Sequence, residues 1–240
     1  MKVTRFLLSV LFLGAMVSTA SAQSAYLSWD ACNSVATDKA IAPGSGVANL
    51  YVSVLGQSQP HKAYQAVVLF GSGNAGALRD AWRFDAVGCQ TDAFISISHS
   101  PPAAVAKACP GMTGANSLQI KNYSFDAISG KATGTLASAY DPNATAVNPA
   151  VRYHLANFAF DHTYSVVGPT NPGVDCGDLE VPVCAHLARC SWLMLDGTEM
   201  PYPFAKEYVT ANDPANGTGC PGATPAAATT WGSIKHQYKR

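Results

Sequence analysis

The chain has 240 residues, of which 48% are hydrophobic and only 12% are charged, and its 15 basic and 15 acidic side chains cancel at pH 7. This balance excludes the basic field that would counter nucleic-acid phosphates, so no nucleic-acid partner is predicted. The length and the apolar content suffice for one sizeable core, and frequent Gly and Pro favour short strands over long amphipathic helices.

The first element of the chain is typical of an export signal. A basic start and an apolar run over 2–17 precede the small residues Ala20-Ser21-Ala22, which signal peptidase accepts. This pattern predicts a signal peptide over residues 1–22, cleaved between Ala22 and Gln23. Residues 23–240 are then expected to form one exported domain, and they contain no apolar run long enough to span a membrane.

Segments with alternating apolar residues recur along the rest of the chain, separated by turn-forming residues. A period of two is typical of half-buried strands. In chain order, these segments are 48–56, 61–70, 92–100, 117–127, 131–140, 151–167 and 190–195. Ser129-Gly130 and Asp196-Gly197 are predicted to be tight hairpin turns, because such pairs accommodate positive φ angles.

Helical signals are restricted to 101–109 and to the tail at 230–240. Both segments are too short for the crossover that parallel strands require. The chain is therefore predicted to be all-β, an antiparallel β-sandwich of immunoglobulin-like or jelly-roll-like type with one or two short helices.

The stretch 71–76 matches G-x-G-x-x-G, and Asp92 follows at the distance of a ribose ligand in a dinucleotide-binding unit. The segment after Gly76 is too short for the helix of such a unit before Gly88-Cys89 is reached. We interpret the stretch as a loop between elements, and no cofactor is predicted.

Seven cysteines follow the predicted signal peptide, and in an exported protein they favour disulfides. Because seven is odd, at least one thiol is free or bonded to another chain. Cys89 and Cys109 bracket one compact segment, and the last four cysteines cluster in the final third. Cys184, His186 and Cys190 are close in sequence, but no cysteine pair has C-x-x-C spacing, so no metal site is predicted.

No motif points to catalysis. The chain lacks G-x-S-x-G, and its six histidines are scattered. On a regular strand, His154 and His162 would share one face about 27 Å apart, too far to share a metal. Trp29, Trp82, Trp192 and Trp231 are predicted to be core residues rather than stacking platforms for sugars.

The predicted function is therefore a non-catalytic extracellular or cell-surface module that binds a glycan or a protein or has a structural role. The alternative is a secreted hydrolase whose active site is built from loops. That alternative requires a histidine, an acid and a serine from different strands to meet in a cleft.

Short motifs along the chain resemble those of a group of exported bacterial proteins without an assigned activity. The motifs are Leu27-Ser28-Trp29-Asp30-Ala31-Cys32, Ala81-Trp82-Arg83-Phe84, Gly88-Cys89, Pro182-Val183-Cys184, Gly219-Cys220-Pro221 and Thr230-Trp231-Gly232-Ser233-Ile234-Lys235. The resemblance implies no catalytic residue and no ligand.

The resemblance does imply a cysteine pairing. Members of the group usually carry a second cysteine shortly after the first, where this chain has Ile41-Ala42-Pro43. By resemblance, Cys32 is therefore the free or intermolecular thiol, and Cys89 pairs with Cys109. Two further disulfides, in one of three connectivities, would join the late cysteines Cys176, Cys184, Cys190 and Cys220.

Overall fold

The alternating segments pair into two facing β-sheets, which confirms the predicted all-β sandwich. The computed structural model describes residues 23–56, 59–72, 76–85, 88–90, 92–112, 116–140, 148–163, 165, 176 and 178–213. The predicted signal peptide with Ala22, the predicted tail helix with Trp231, and Cys220 lie outside the described residues.

In the described ranges, twelve strands form the two sheets. The strands of the first sheet are β1 (Ser24–Trp29), β3 (Val47–Leu55), β5 (Ile95–Ser98), β8 (Tyr153–Asp161) and β11 (Phe204–Lys206). The strands of the second sheet are β2 (Asp38–Lys39), β4 (His61–Gly71), β6 (Asn116–Asp126), β7 (Lys131–Tyr140), β9 (Val183–Met194), β10 (Glu199–Pro201) and β12 (Tyr208–Ala211).

The order in the first sheet is β11-β1-β3-β8-β5, and the order in the second is β2-β12-β9-β4-β7-β6, with β10 beside β9. Neighbouring strands are antiparallel except in two pairs, β1 with β11 and β2 with β12, which are parallel. Both parallel pairs lie at sheet edges, where short strands from distant parts of the chain are added.

The two predicted hairpin turns are confirmed. Gly130, with φ of 65°, joins β6 to β7, and Gly197, with φ of 89°, lies between β9 and β10. The helix predicted at 101–109 is a single turn, α1 (Ala103–Ala106). Two short 3-10 turns, Asp80–Trp82 and Asp92–Phe94, are the other helical elements among the described residues.

The structure around the glycine-rich stretch also differs from a nucleotide-binding unit. Strand β4 ends at Gly71 and is antiparallel to both of its neighbours, β7 and β9. After the stretch, the Leu78 amide donates to the Gly130 carbonyl at 2.7 Å, so the chain returns over the β6–β7 turn. Among the described residues after β4, no helix is followed by a strand that pairs in parallel with β4, the arrangement that would cradle a phosphate.

The core lies between the sheets and is rich in aromatic rings. Trp29, Trp82 and Trp192 are at most 2% exposed, which confirms their prediction as core residues. Phe160 on β8 is a hub of this core. Its ring centroid lies 5.3 to 5.5 Å from those of Phe70, Trp82 and Phe84.

Gly134 on β7 faces the same core and has no space for a side chain. A Cβ there would lie 2.7 Å from Phe158 Cε1 and 3.2 Å from Phe70 Cε2. We expect Gly134→Ala to lower the free energy of unfolding by about 1–3 kcal/mol, because the buried rings must shift. Urea unfolding measures this loss. The matched control is Gly71→Ala, where the nearest atom lies at an ordinary 3.8 Å; equal losses in the two variants would contradict the prediction.

The disulfides correct the cysteine pairing that the resemblance implied. Cys32 is bonded to Cys109 and Cys89 to Cys176, with Cα–Cα distances of 6.4 and 5.5 Å. The prediction of a free Cys32 is therefore wrong, as is the Cys89–Cys109 bond. The physical reason is tertiary: the segment after β1 and the segment after α1 meet in a small buried cluster, which also contains Tyr51 and Val105.

The late cysteines also depart from the implied set. Cys190 is a free thiol on β9, is 2% exposed and faces the core, so its assignment to a disulfide is wrong. Burial raises the pKa of this thiol to about 12. Cys184 is disulfide-bonded. Within the part of the chain that the structure describes, no group of three His, Cys, Asp or Glu side chains could hold a metal ion.

Candidate functional site

The alternative function, hydrolysis, requires a histidine that contacts both a serine and an acid. His162 Nδ1 lies 3.3 Å from the Ser165 hydroxyl, which also accepts a hydrogen bond from Gln90 Nε2. The other contacts of the His162 ring are aromatic, with Trp82 at 4.8 Å and Phe84 at 5.6 Å between centroids. A serine–histidine pair is present, but no acid among the described residues hydrogen-bonds to His162.

The other histidines do not complete a triad. His186 lies 4.0 Å from Glu207 Oε2, and His99 contacts the neighbouring Ser100 at 3.0 Å. His236 lies outside the described residues. In the ranges that the structure describes, no histidine contacts both a serine and an acid, which is the arrangement that the hydrolase alternative requires.

Three histidines are buried and neutral. Burial lowers the pKa of His61, His154 and His162 from the ordinary 6.5 to about 4. A general base works best with a pKa near the operating pH. These rings are therefore poorly suited to that role at neutral pH and serve as core groups.

Ser165 also lines a cavity of about 440 Å³ together with Asp178 and Glu180. Asp178 Oδ2 is 3.9 Å from Arg79 Nη1. Ser165 is 2% exposed. Its hydroxyl already contacts the side chains of Gln90 and His162. This cavity is the place where a hydrolytic site would lie.

The second candidate site lies at the β11 edge of the first sheet. A cavity of about 590 Å³ opens there, which we call the β11 groove. Its wall on one side is the loop between β1 and β2, residues 30–37. The side chains that line its floor are Tyr26, Arg152, Phe204, Lys206 and Tyr208.

Strand register places the floor residues together. Along β1, Ala25 and Leu27 face the core, so Tyr26 between them points to the outer face of the sheet. Tyr26 is paired with Lys206 across the parallel β1–β11 contact. Arg152, just before β8, reaches the same ring and places its guanidinium carbon 3.8 Å from the Tyr26 centroid. This is the geometry of a cation–π contact.

Both cations hold the wall of the groove. Arg152 Nη1 donates to the Cys32 carbonyl at 3.1 Å. Lys206 Nζ donates to the Ser34 carbonyl at 3.4 Å and to that of Ala36. The Cys32–Cys109 disulfide anchors the start of the same loop. The loop that bounds the groove is thus held by one disulfide and by hydrogen bonds from two cationic side chains.

The charge in the groove is not balanced. Neither Arg152 nor Lys206 forms an ion pair with an acid of the described ranges. Glu207 also lines the groove, but its carboxylate lies beside His186. Burial and, secondly, the charge of Arg152 lower the pKa of Lys206. Two cations that repel each other therefore lie together on the floor of the groove.

Sequence reasoning did not find this site. Tyr26 lies in β1, which was not among the predicted strands, and Arg152 and Lys206 are isolated charges in segments without a motif. The signal that could have found Tyr26 is the alternation of Ala25, Leu27 and Trp29 around it. The described residues contain no helix of the length and hydrophobicity needed to cross a membrane.

No protein-family model matches the chain, and no curated protein matches it. Similar solved structures include cohesin modules. One, from a family 33 glycoside hydrolase of Clostridium perfringens, is 7% identical, with a TM-score of 0.35 over 79% of this chain and 98% of that chain. Another, the second type II cohesin module of the ScaA scaffoldin of Acetivibrio cellulolyticus, is 12% identical, with a TM-score of 0.38 over 78% and 96%. A non-cellulosomal cohesin from Archaeoglobus fulgidus is 7% identical, with a TM-score of 0.34 over 79% and 88%. At TM-scores below 0.5, this likeness assigns neither a ligand nor a partner to the chain.

Proposed function

We propose that this protein is an exported, non-catalytic binding module and that the β11 groove holds its ligand. The observation that carries the proposal is the concave site itself, in which two cations without acidic partners lie beside partly exposed aromatic rings. Ligand sites are typically concave and combine apolar walls with a few placed polar groups. The Cys32–Cys109 and Cys89–Cys176 disulfides fit an oxidising extracellular or periplasmic compartment.

The chemistry of the groove favours recognition over turnover. The guanidinium of Arg152 has hydrogen-bond donors and no acceptor, which suits the binding of an anion. Lys206 already donates to two backbone carbonyls. Glu207 is the one acid among the described residues that line the groove, and its carboxylate lies beside His186, which is not a lining residue.

A binding screen against extracellular glycans and proteins tests this function. We expect a ligand whose affinity falls at least tenfold in Arg152→Gln and in Tyr208→Ala, with the ligand recovered intact. The matched control is Lys121→Gln, which removes an exposed cation from β6 on the other sheet. A ligand that binds both groove variants as well as wild type, or that is converted to products, would overturn the proposal.

A secreted hydrolase remains the second candidate, because the His162–Ser165 contact lies beside the acid-lined cavity. If that cavity were the active site, the wild type would hydrolyse esters or glycosides, and the Ser165→Ala variant would not. We expect no such hydrolysis in either protein, since the Ser165 hydroxyl is buried and doubly engaged. Activity that is lost in Ser165→Ala and kept in Arg152→Gln would establish the hydrolase instead.

A further inference from the structure

We propose that the ligand of the β11 groove is an acidic glycan, with the carboxylate of one uronic acid unit held between Arg152 and Lys206. This inference rests on the proposed binding function and adds the ligand's chemical class. It is argued from the charge, the aromatic surface and the dimensions of the groove.

The charges of the groove favour an anion. In the described part of the chain, Arg152 makes one hydrogen bond, to the Cys32 carbonyl, and stacks on Tyr26. The guanidinium has five N–H donors, so a single hydrogen bond leaves other donors available to a ligand. An arginine edge binds carboxylates through paired hydrogen bonds. A carboxylate at this position would also offset the repulsion between Arg152 and Lys206.

The pKa of Lys206 agrees with this arrangement. Burial and the neighbouring Arg152 charge lower it, which means that the ammonium lies in a positive, partly dehydrated environment. An anion bound beside the two cations reverses the second of these effects. Ligand binding is therefore expected to raise the Lys206 pKa and to weaken as salt screens the attraction.

The aromatic surface favours a sugar as the carrier of that carboxylate. Tyr208 is 41% exposed and lines the groove, so its ring is accessible to a ligand. Tyr26 and Phe204 add partly exposed ring surface nearby. Flat ring surface next to hydrogen-bonding groups fits a pyranose, which has apolar C–H faces and a polar rim.

The dimensions favour a short glycan over an acidic peptide. A volume of about 590 Å³ lies within the range of sites for small ligands. Peptides in contrast often bind by adding a strand to a sheet edge. The edge strand here, β11, has only three residues, Phe204–Lys206, and offers few backbone groups for such pairing.

The test uses trigalacturonate and its fully methyl-esterified form, which keeps the three rings and removes their charges. Isothermal titration calorimetry with the full chain is expected to detect trigalacturonate and to show at least tenfold weaker binding of the ester. Affinity should fall at least tenfold in Arg152→Gln and in Tyr208→Ala, and it should fall with added NaCl. Lys121→Gln is expected to bind like wild type, and thermal melting of each variant verifies that it is folded.

Tyr208→Ala keeps the proposal testable if Arg152→Gln fails to fold, because the exposed Tyr208 ring does not hold the β1–β2 loop. Equal binding of trigalacturonate and its ester would overturn anion recognition but leave the binding function standing. If the protein binds poly-glutamate but not trigalacturonate, and the Arg152→Gln variant loses this binding, the ligand is not a glycan. That result would also leave the binding function standing. No binding of trigalacturonate would overturn the inference. Uronate binding that is unchanged in both groove variants would overturn the proposed site as well.

Discussion

Replacing Cys32 and Cys109 together with Ala is expected to lower the free energy of unfolding by about 4 kcal/mol. The two cysteines are 77 residues apart in sequence, so their bond removes a large amount of chain entropy from the unfolded state. The chain-entropy model assigns about 4 to 5 kcal/mol to a loop of this length. Urea unfolding of the oxidised proteins measures the difference. The double variant avoids the new free thiol that a single replacement would leave.

The control for this prediction is Cys190→Ala. Cys190 is the free thiol of the core, so its replacement removes one small buried group and no crosslink. We expect a loss of about 1 kcal/mol, the transfer free energy of a methylene-sized group. A double variant that is no less stable than Cys190→Ala would show that Cys32 and Cys109 are not bonded in the native protein.

The Cys32–Cys109 bond also anchors the loop that forms one wall of the β11 groove. Cys32 lies near the start of this loop and forms the disulfide, and its carbonyl accepts the hydrogen bond from Arg152. The disulfide variant is therefore expected to lose affinity for the groove ligand even at temperatures where it is folded. If the proposed groove holds the ligand, stability and recognition are coupled through one loop.

Acidification from pH 6.5 to 4.5 is expected to lower the free energy of unfolding by about 2 kcal/mol for each of His61, His154 and His162. In the folded protein, burial lowers the pKa of these groups to about 4, whereas in the unfolded chain they titrate near the ordinary 6.5. Throughout this interval the unfolded state binds more protons, so stability falls as the pH falls. At pH values well above 6.5 all three are neutral in both states and contribute no pH dependence.

Urea midpoints at pH 7.5, 6.5, 5.5 and 4.5 measure this effect. The matched variant is His61→Phe, which keeps an aromatic ring against Trp192 and Tyr140 and removes the titrating group. We expect its stability to fall by about 2 kcal/mol less than that of wild type between pH 6.5 and 4.5. An identical pH dependence in the two proteins would contradict the burial of a neutral His61.

Several features of the fold were predictable because their causes are local. Alternation of apolar side chains reports the pleat of a strand, and most of the long strands were found from it. Gly130 and Gly197 adopt positive φ, a requirement that lies within the turn itself. Four strands were missed, β1, β2, β11 and β12. Of these, β2 and β11 have only two or three residues, which carry no pattern.

Strand irregularity limited the prediction for the histidines. On a regular strand His154 and His162 would share a face. In the structure, the register between β3 and β8 shifts between Val52 and Ser53, so that Leu155 is not paired with any residue of β3. After this bulge the faces exchange, so His154 contacts Tyr51 while His162 contacts Trp82 in the core. A one-residue bulge reverses every later side chain, and alternation alone does not reveal it.

The sandwich class and its tight turns thus follow from neighbouring residues, whereas the cysteine pairing and the β11 groove were decided only by the tertiary structure. Resemblance and sequence proximity suggested Cys89 with Cys109, but the packing of α1 brought Cys109 to Cys32. The groove depends on contacts of Arg152 and Lys206 with a loop 120 and 172 residues away along the chain. Such contacts are set by which strands pair and in which register, and that is a property of the assembled sheets.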